Sequence, residues 1–481
     1  MDGPECAGCR ERDAIIAELR AHLQVLEQRL AEQNQRLAEQ DRRIAELEAR
    51  LKINSSNSSL PPSANPPSAP KPPAKPPTGR KPGGQPGHSG HNRPRLEPNE
   101  IVLHVPAQCE HCHASLPPDP CPDDPWPHWH QVAELPEVLV QVTEHQAHGR
   151  TCPGCGHVTW AKIPAEVLAH GYGPKLTAVV AFLSGRCHAS KRIIEEMLQT
   201  LLGVPMSLGS VSKAEQEVAA ALEQPYAQAQ EAVRQAAVKN ADETGWALGG
   251  KLCWMWMAVA ESAALFKICL SRGRVGLEQL LGRSIHGTVG SDRWGPYGMI
   301  DLEARQVCWA HLKRDFQKWV DWGRETRKIG QDGLEAVKRV FEAWGHFRER
   351  ALDRPGLQAA LEPVIQDLQR ALESGLSCPN KKAMHFCRNV LAVYPALWTF
   401  ARVDGVEPTN NRAERTLRLA VIWRKISFGN HSPEGCRFVE RILTTVQTLQ
   451  LQHRPVLAYL RDAVVAHRTR QPAPKLVATG A

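Results

Sequence analysis

Between residues 12 and 52, apolar residues recur every seven positions. Ile16, Leu23, Leu30, Leu37, Ile44 and Leu51 occupy one position, and Leu19, Leu26, Gln33, Gln40 and Leu47 its companion. Alternating steps of three and four predict a coiled coil over 12–52. At 1.5 Å per residue it would span roughly 60 Å. The two glutamines weaken the seam and fit a device that fixes register or oligomer state. A solvated single helix is the other reading. The periodicity then stops. The stretch NSSNSSLPPSANPPSAPKPPAKPPTGRKPGGQPGHSGH has almost nothing to bury, so 53–100 reads as a disordered Pro/Ser/Lys linker. Its Lys71, Lys75, Arg80 and Lys81 suit either phosphate contact or simple solubility.

Residues 101–165 carry two CxxC pairs, Cys109 with Cys112 and Cys152 with Cys155. Two such pairs in one strand-like segment predict a four-cysteine site for one structural Zn2+ in a zinc-ribbon-like, DNA-contacting domain. IVLHV and LVQVTEHQA read as its hairpin strands. Cys121, His111, His113 and His157 are alternative ligands, and four reduced free thiols are the plain alternative. Cys6 and Cys9 form a third pair without a partner pair and are left unassigned. Residues 174–235 read as helices. KRIIEEMLQTLLG, the turn GVPMS and a helix opening at serine fit a helix-turn-helix, or equally an ordinary helical hairpin.

From 236 the period changes to that of strands. AAVKNAD, LCWMWMAVA and ALFKICLS are apolar runs of strand length, with GWALGGK as a hairpin turn. RVGLEQLLG reads as a helix, IHGTVGSD as a fourth strand and QVCWA as a fifth. A meander followed by alternating strands and helices predicts a mixed α/β sheet. Residues 311–400 show helical spacing of Leu, Val, Phe and Trp and read as a helical insertion. The segment 401–467 is helical and basic, and 468–481 reads as a disordered tail.

The chain has 481 residues and a formal charge of +8. The length predicts several units rather than one core. The charge favours a polyanionic partner. No apolar run is long enough for a membrane span, and no signal peptide is visible, so a cytoplasmic protein without a membrane partner is expected. Fourteen cysteines there are not a disulfide framework.

Asp242 and Asp292 close the first and fourth expected strands, where side chains of an open α/β sheet converge on a cleft. Two acids there require a shared proton or a cation. Hard oxygen ligands suit Mg2+ or Mn2+, and a third acid would complete a site for two ions ~3.5–4 Å apart. Glu414 is the best third candidate. It is the only acid between Thr409 and Phe428, on a helix capped by Asn410 or Asn411, among Arg412, Arg415, Arg418, Arg424 and Lys425. That basic surround fits a DNA backbone; a plain ion pair with Arg418 is the alternative. Glu243, next to Asp242, points to the opposite face of a strand unless the strand ends there. Asp301, Glu303 and Asp404 are outside candidates.

ADETGW, SDRWGPY, VCWAHLKRDF and TNNRAERTLR, in this order, resemble the transposases of the insertion sequence 66 family. The resemblance extends to the N-terminal zipper, NSSNSSLPPS, the paired CxxC segment and YLRDAV. It implies a DDE-type enzyme with a ribonuclease-H-like core over 236–310 and 401–467, in which Asp242, Asp292 and Glu414 are the catalytic triad and hold two Mg2+ or Mn2+ ions. It also explains the long gap between Asp292 and Glu414 as an insertion. His311 would position DNA, or be structural. Trp246 and Trp294 would stack on unpaired bases, or be buried packing residues. The implied activity is DNA transposition: binding of terminal inverted repeats, phosphodiester cleavage and strand transfer into target DNA. The coiled coil would pair protomers, accessory proteins of the same element are implied partners, and the location would be at the nucleoid. A metal-dependent nuclease without strand transfer, or an inactive DNA-binding architectural protein, are the competing readings.

Overall fold

The computed structural model describes residues 18, 22–41, 44, 95, 97–119, 130–133, 140–155 and 157–477. Residues 22–41 are helical. Their heptad positions Leu23, Leu26, Leu30 and Leu37 are all more than half exposed, so the stripe has no partner among the described residues. Most of the linker, together with Cys6, Cys9 and Cys121, lies outside the described residues.

The remaining elements run in chain order. Two short strands, β1 (Gly149–Thr151) and β2 (Val158–Trp160), and a single helical turn at Ala165–Leu168 precede four longer helices. These are α1 (Pro174–Gly185), α2 (Lys191–Leu202), α3 (Leu208–Ala221) and α4 (Glu223–Gln235). Strands β3 (Val238–Leu248), β4 (Lys251–Val259) and β5 (Ala264–Cys269) follow. Helix α5 (Arg274–Leu281) leads to β6 (Thr288–Ser291) and β7 (Arg305–Val307). Helices α6 (Trp309–Trp322), α7 (Arg324–Arg348), α8 (Arg354–Gly375) and α9 (Lys381–Leu391) come next. Helices α10 (Asn411–Ser427), α11 (Pro433–Leu451) and α12 (Val456–Arg468) close the order. No described helix is long and apolar enough to cross a membrane.

The chain divides into two compact units. The smaller covers residues 73–171 and 191–211. Its described sheet is the antiparallel pair β1–β2. The expected strands IVLHV and LVQVTEHQA do not form there. Ile101, Val102, Leu103 and Val142 stay mostly exposed, so nothing among the described residues buries the apolar side of a hairpin.

The larger unit is built on a five-stranded sheet of order β5-β4-β3-β6-β7. β3, β4 and β5 form an antiparallel meander, whereas β6 joins β3, and β7 joins β6, in parallel. The β3–β4 turn is Gly249–Gly250, with φ of 56° and 77°. Two left-handed residues suit a primed two-residue turn, and glycine adopts them without a steric cost.

Side chains alternate across the sheet. Trp246, Cys253, Met255, Met257 and Phe266 meet α10, α11 and α12 on one face. Ala241, Trp256, Ala258 and Leu265 meet α5 and Tyr297 on the other. Edge strand β5 is covered by α11 through polar side chains one turn apart. The Thr448 hydroxyl accepts from Ala264 N at 3.1 Å, Thr444 from Phe266 N at 3.0 Å, and Glu440 from Ile268 N at 2.6 Å. The N–H groups a sheet edge leaves unpaired are thus satisfied, which blocks further strand addition.

Helices α6 to α9 bury a separate cluster. Leu357, Leu361, Val364, Leu368 and Leu372 form its stripe on α8, in one cluster with Phe316 and Trp319 of α6. The expected unstructured tail is packed as far as the structure describes it. Leu476 is fully buried, and Arg454 Nη1 donates to its carbonyl at 2.8 Å. A lone leucine in a polar, Pro-containing tail gives no periodic signal, so the sequence did not expose this anchor.

Candidate active site

Asp242 does not end its strand. The hairpin with β4 carries β3 six residues further, to Leu248. What ends near Asp242 is the parallel partner: the last β3–β6 pair is Asn240 with Gly290. Asp242 and Asp292 each lie two residues beyond that pair, at the same end of adjacent strands. Hydrogen-bonded strands are about 4.8 Å apart, so the two carboxylates are neighbours on the face that α10 covers. Each commits one oxygen locally. Asp242 Oδ1 accepts from Glu243 N at 2.9 Å, and Asp292 Oδ1 from Trp294 N at 2.8 Å. Arg305, buried on β7, donates Nη2 to the Asp292 carbonyl at 2.9 Å and fixes the turn.

Glu414 sits in the first turn of α10. Asn410 precedes that helix, but its side chain does not cap it; it binds the sheet. Its Nδ2 donates to the Ala241 carbonyl at 2.8 Å, its Oδ1 accepts from Asn240 Nδ2 at 2.9 Å, and its backbone N–H reaches Cys308 Sγ at 3.1 Å. Asn410 therefore ties β3 and the start of α6 to the helix that carries Glu414. The bridge passes close over β6. A Cβ on Gly290 would lie 2.3 Å from Asn240 Nδ2, so any side chain there must displace that amide from the bridge. Asn240, Gly290, Cys308 and Arg305 carry no mark of this role in the sequence. The asparagine doublet before Glu414 was read only as a cap.

The acids interact. Asp242 is pushed up to about 8, first by burial, then by Glu243, with Asp292 and Glu414 adding to it against the Glu243 N–H. His311, in the first turn of α6, joins them. Its Nδ1 lies 3.8 Å from Glu414 Oε1, beyond hydrogen-bond reach, and is buried without a hydrogen-bond partner. Burial and Arg314 pull its pKa down, while Asp292 and Glu414 oppose this. As they stand, no group of three or more His, Cys, Asp or Glu among the described residues is gathered tightly enough to hold an ion. The donor chemistry nevertheless fits a hard divalent cation: three carboxylates from three elements, one of them disfavoured as an anion by burial and by the others.

Glu243 faces away from this cluster. It pairs with Trp256 across β4, accepts from Tyr297 Oη at 2.9 Å and forms a 3.0 Å ion pair with Arg272. Burial, then Asp292, raise its pKa against these partners. Asp404 pairs with Arg354, and Glu303 with Arg402 at 3.0 Å, both outside the cluster.

The basic helix divides. Arg415, Arg418 and Lys425 are exposed, whereas Arg412 is half-buried with Nη2 at 3.4 Å from the Glu261 carbonyl. Arg424 turns inward: Nη1 donates to the Gly245 carbonyl at 2.7 Å and to Thr244 Oγ1 at 3.0 Å, which bolts α10 to β3. Trp246 is a core residue, 2 % exposed, with its indole N–H on Asn430 Oδ1 at 2.9 Å. The expected stacking role is therefore closed to it, because its place in the β3 alternation points it into the core. Trp294 remains 40 % exposed.

In the smaller unit each CxxC pair forms its own tight turn. Cys109 N donates to the Ala114 carbonyl at 2.9 Å, and Cys152 N to the His157 carbonyl at 2.8 Å. The thiols of Cys109 and Cys152 are drawn down in pKa, chiefly by the backbone N–H groups of their own turns. Lowered thiol pKa suits metal ligation.

The geometry defines a mixed α/β unit with an acidic cluster where the parallel strands β3 and β6 part, and a basic helix face beside it. The model described as Transposase IS66 family matches residues 170–437, more than half of the chain, and the chain belongs to that family. Membership implies transposase function and, with it, DNA as a partner. Residues 4–94 match a family of unknown function (DUF6444). No curated protein matches the chain.

Proposed function

We propose that the chain cleaves and joins DNA at the ends of an insertion sequence, with Asp242, Asp292 and Glu414 as its catalytic carboxylates. The single observation that supports this best is their electrostatic convergence: Asp292 and Glu414, 122 positions apart in sequence, both raise the pKa of Asp242. The sheet order and the antiparallel-then-parallel pairing support a ribonuclease-H-like core. Asp242, Asp292 and Glu414 would hold two Mg2+ or Mn2+ ions. When bound, such ions activate an attacking oxygen and stabilise the leaving one in an in-line phosphodiester displacement.

The chain's own residues prepare that chemistry. Asp242, whose proton burial and its acidic neighbours hold to about pH 8, would release it as positive charge arrives. Asn410 ties α10 to β3 and so holds Glu414 within electrostatic reach of Asp242. Arg415, Arg418 and Lys425, exposed on the same helix, would contact phosphates and fix the register of the DNA. His311, with one buried nitrogen unpaired, would orient the phosphate or the incoming hydroxyl. The leucine stripe of residues 22–41 supports pairing of protomers through a coiled coil over 12–52. The two cysteine turns support one Zn2+ on Cys109, Cys112, Cys152 and Cys155, in a unit that would contact the terminal repeats.

The test is cleavage of labelled DNA bearing the element's terminal repeat, with Mg2+ or Mn2+. Nicking and joining by the wild type, lost in Asp242→Asn, Asp292→Asn and Glu414→Gln, are expected. Joined product distinguishes a transposase from a nuclease. Activity that survives in all three variants would sink the assignment.

A further inference from the structure

Beside the acidic cluster lies a stack that the cleavage chemistry does not use. Arg272 lies with its guanidinium 4.6 Å from the Trp254 ring centre and 4.1 Å from that of Trp294. Glu243 holds Arg272 through Nε at 3.2 Å and Nη2 at 3.0 Å, and Tyr297 holds Glu243 from the buried side. Trp294 is fixed at two further points. Its backbone N–H binds Asp292 Oδ1 at 2.8 Å, and its indole N–H reaches the Arg272 carbonyl at 3.3 Å. A large aromatic ring locked this firmly is normally buried. This one is 40 % exposed.

We propose that Trp294, backed by Arg272 and Glu243, is a stacking platform for one unpaired base next to the DNA phosphate that reaches the carboxylates. This rests on the reading of the site given above and adds a substrate feature to it, namely an end that is locally unpaired. Three arguments carry it. Every base has a π-face, so a fixed half-exposed indole with a cation on its other side is a sequence-tolerant base receptor. Trp294 is bonded to Asp292, so a base on the ring is held beside the acid cluster. Arg272 is 37 % exposed, and although Glu243 offsets its charge, its planar donor group is fixed where a backbone would pass. The arrangement also accounts for Glu243: the acid adjacent to Asp242 anchors the arginine under the ring.

The test uses the full chain in Ca2+ buffer, which supports binding without requiring turnover. The probes are a short blunt duplex, the same duplex with an unpaired 3′ tail, and that tail with its bases removed. Wild type is expected to prefer the tailed duplex by roughly tenfold over the blunt one, and the baseless tail, which keeps its phosphates, to lose that preference. Trp294→Ala should bind the blunt duplex as wild type does and lose the preference for the tail. Trp294→Phe should keep most of it, which separates stacking from misfolding. Arg272→Lys, which keeps the charge but not the planar group, should weaken it. Equal binding of tailed and blunt DNA by wild type overturns the proposal, as does an unchanged preference in Trp294→Ala. Loss of self-association in Trp294→Ala with the tail preference intact would also overturn it, making the ring a contact between copies. Asp242→Asn tests the carboxylates separately and is read by cleavage in Mg2+, not by binding. If that variant still cleaves DNA while Trp294→Ala loses the preference, the carboxylate assignment fails and the platform stands.

Discussion

Replacing Asp242 by asparagine should stabilise the metal-free protein, and by an amount that depends on pH. Asparagine keeps the oxygen that accepts from Glu243 N and removes the charge. In the folded state Asp242 is pushed up to about 8; in the unfolded chain an aspartate titrates near 3.9. Between those values the folded protein holds a proton that the unfolded chain has released. Stability is therefore lost as pH rises through this window, and the loss levels off above about 8. At 1.36 kcal/mol per pKa unit, the wild-type penalty grows by about 3 kcal/mol between about pH 5 and about pH 7.5. The variant carries no such term, and Glu243 is present in both proteins, so its own raised pKa cancels to first order. The assay is thermal unfolding with EDTA across that range. Asp242→Asn should unfold several degrees above wild type at the alkaline end, with the gap shrinking towards the acid end. Mg2+ should then raise the wild-type midpoint and leave the variant's nearly unmoved. A gap that does not change with pH, or a variant less stable than wild type in alkaline metal-free buffer, would refute the reasoning.

The clamp over the sheet gives two further expectations. Asn410→Ala strands Asn240 Nδ2 and the Ala241 carbonyl, and should cost about 2–4 kcal/mol in urea unfolding together with most DNA cleavage. Gly290→Ala places a methyl 2.3 Å from Asn240 Nδ2 and should break the same bridge, with a comparable loss of both. In the smaller unit, metal analysis of the purified chain should find about one zinc, reduced in Cys152→Ser; a zinc-free wild type would remove the metal from the account. A peptide covering 12–52 should be helical and oligomeric by sedimentation, and a monomeric coil would contradict the zipper.

Much of the site was legible because its chemistry leaves marks in one dimension. A strand-length run delivering Asp242, a second strand delivering Asp292 and a lone acid in a basic helix could be read directly. Period-2 alternation then placed Glu243 on the opposite face, where it meets Tyr297 and Arg272. The end of a strand was less legible. Hairpin pairing carried β3 past Asp242 to Leu248, because antiparallel partners can extend a strand after its parallel neighbour has turned away. Side-chain direction on a mixed surface was also hidden. Arg424 and Arg418 look alike in the sequence, yet one is bonded to β3 and the other is exposed. Trp246 and Trp294 look alike too, and only the fold buries the first while holding the second at the surface. Long-range bridges such as Asn240 to Asn410 span 170 positions and have no local signature.

The central claim is that Asp242, Asp292 and Glu414 together bind divalent cations. Titration of the full chain with Mn2+, followed by electron paramagnetic resonance of the free ion, tests it without requiring a DNA substrate. The account expects wild type to take up about two ions per chain, and each of Asp242→Asn, Asp292→Asn and Glu414→Gln to lose affinity by at least roughly tenfold, with the zinc content unchanged. Uptake of Mn2+ by the triple variant at wild-type affinity and stoichiometry would contradict it.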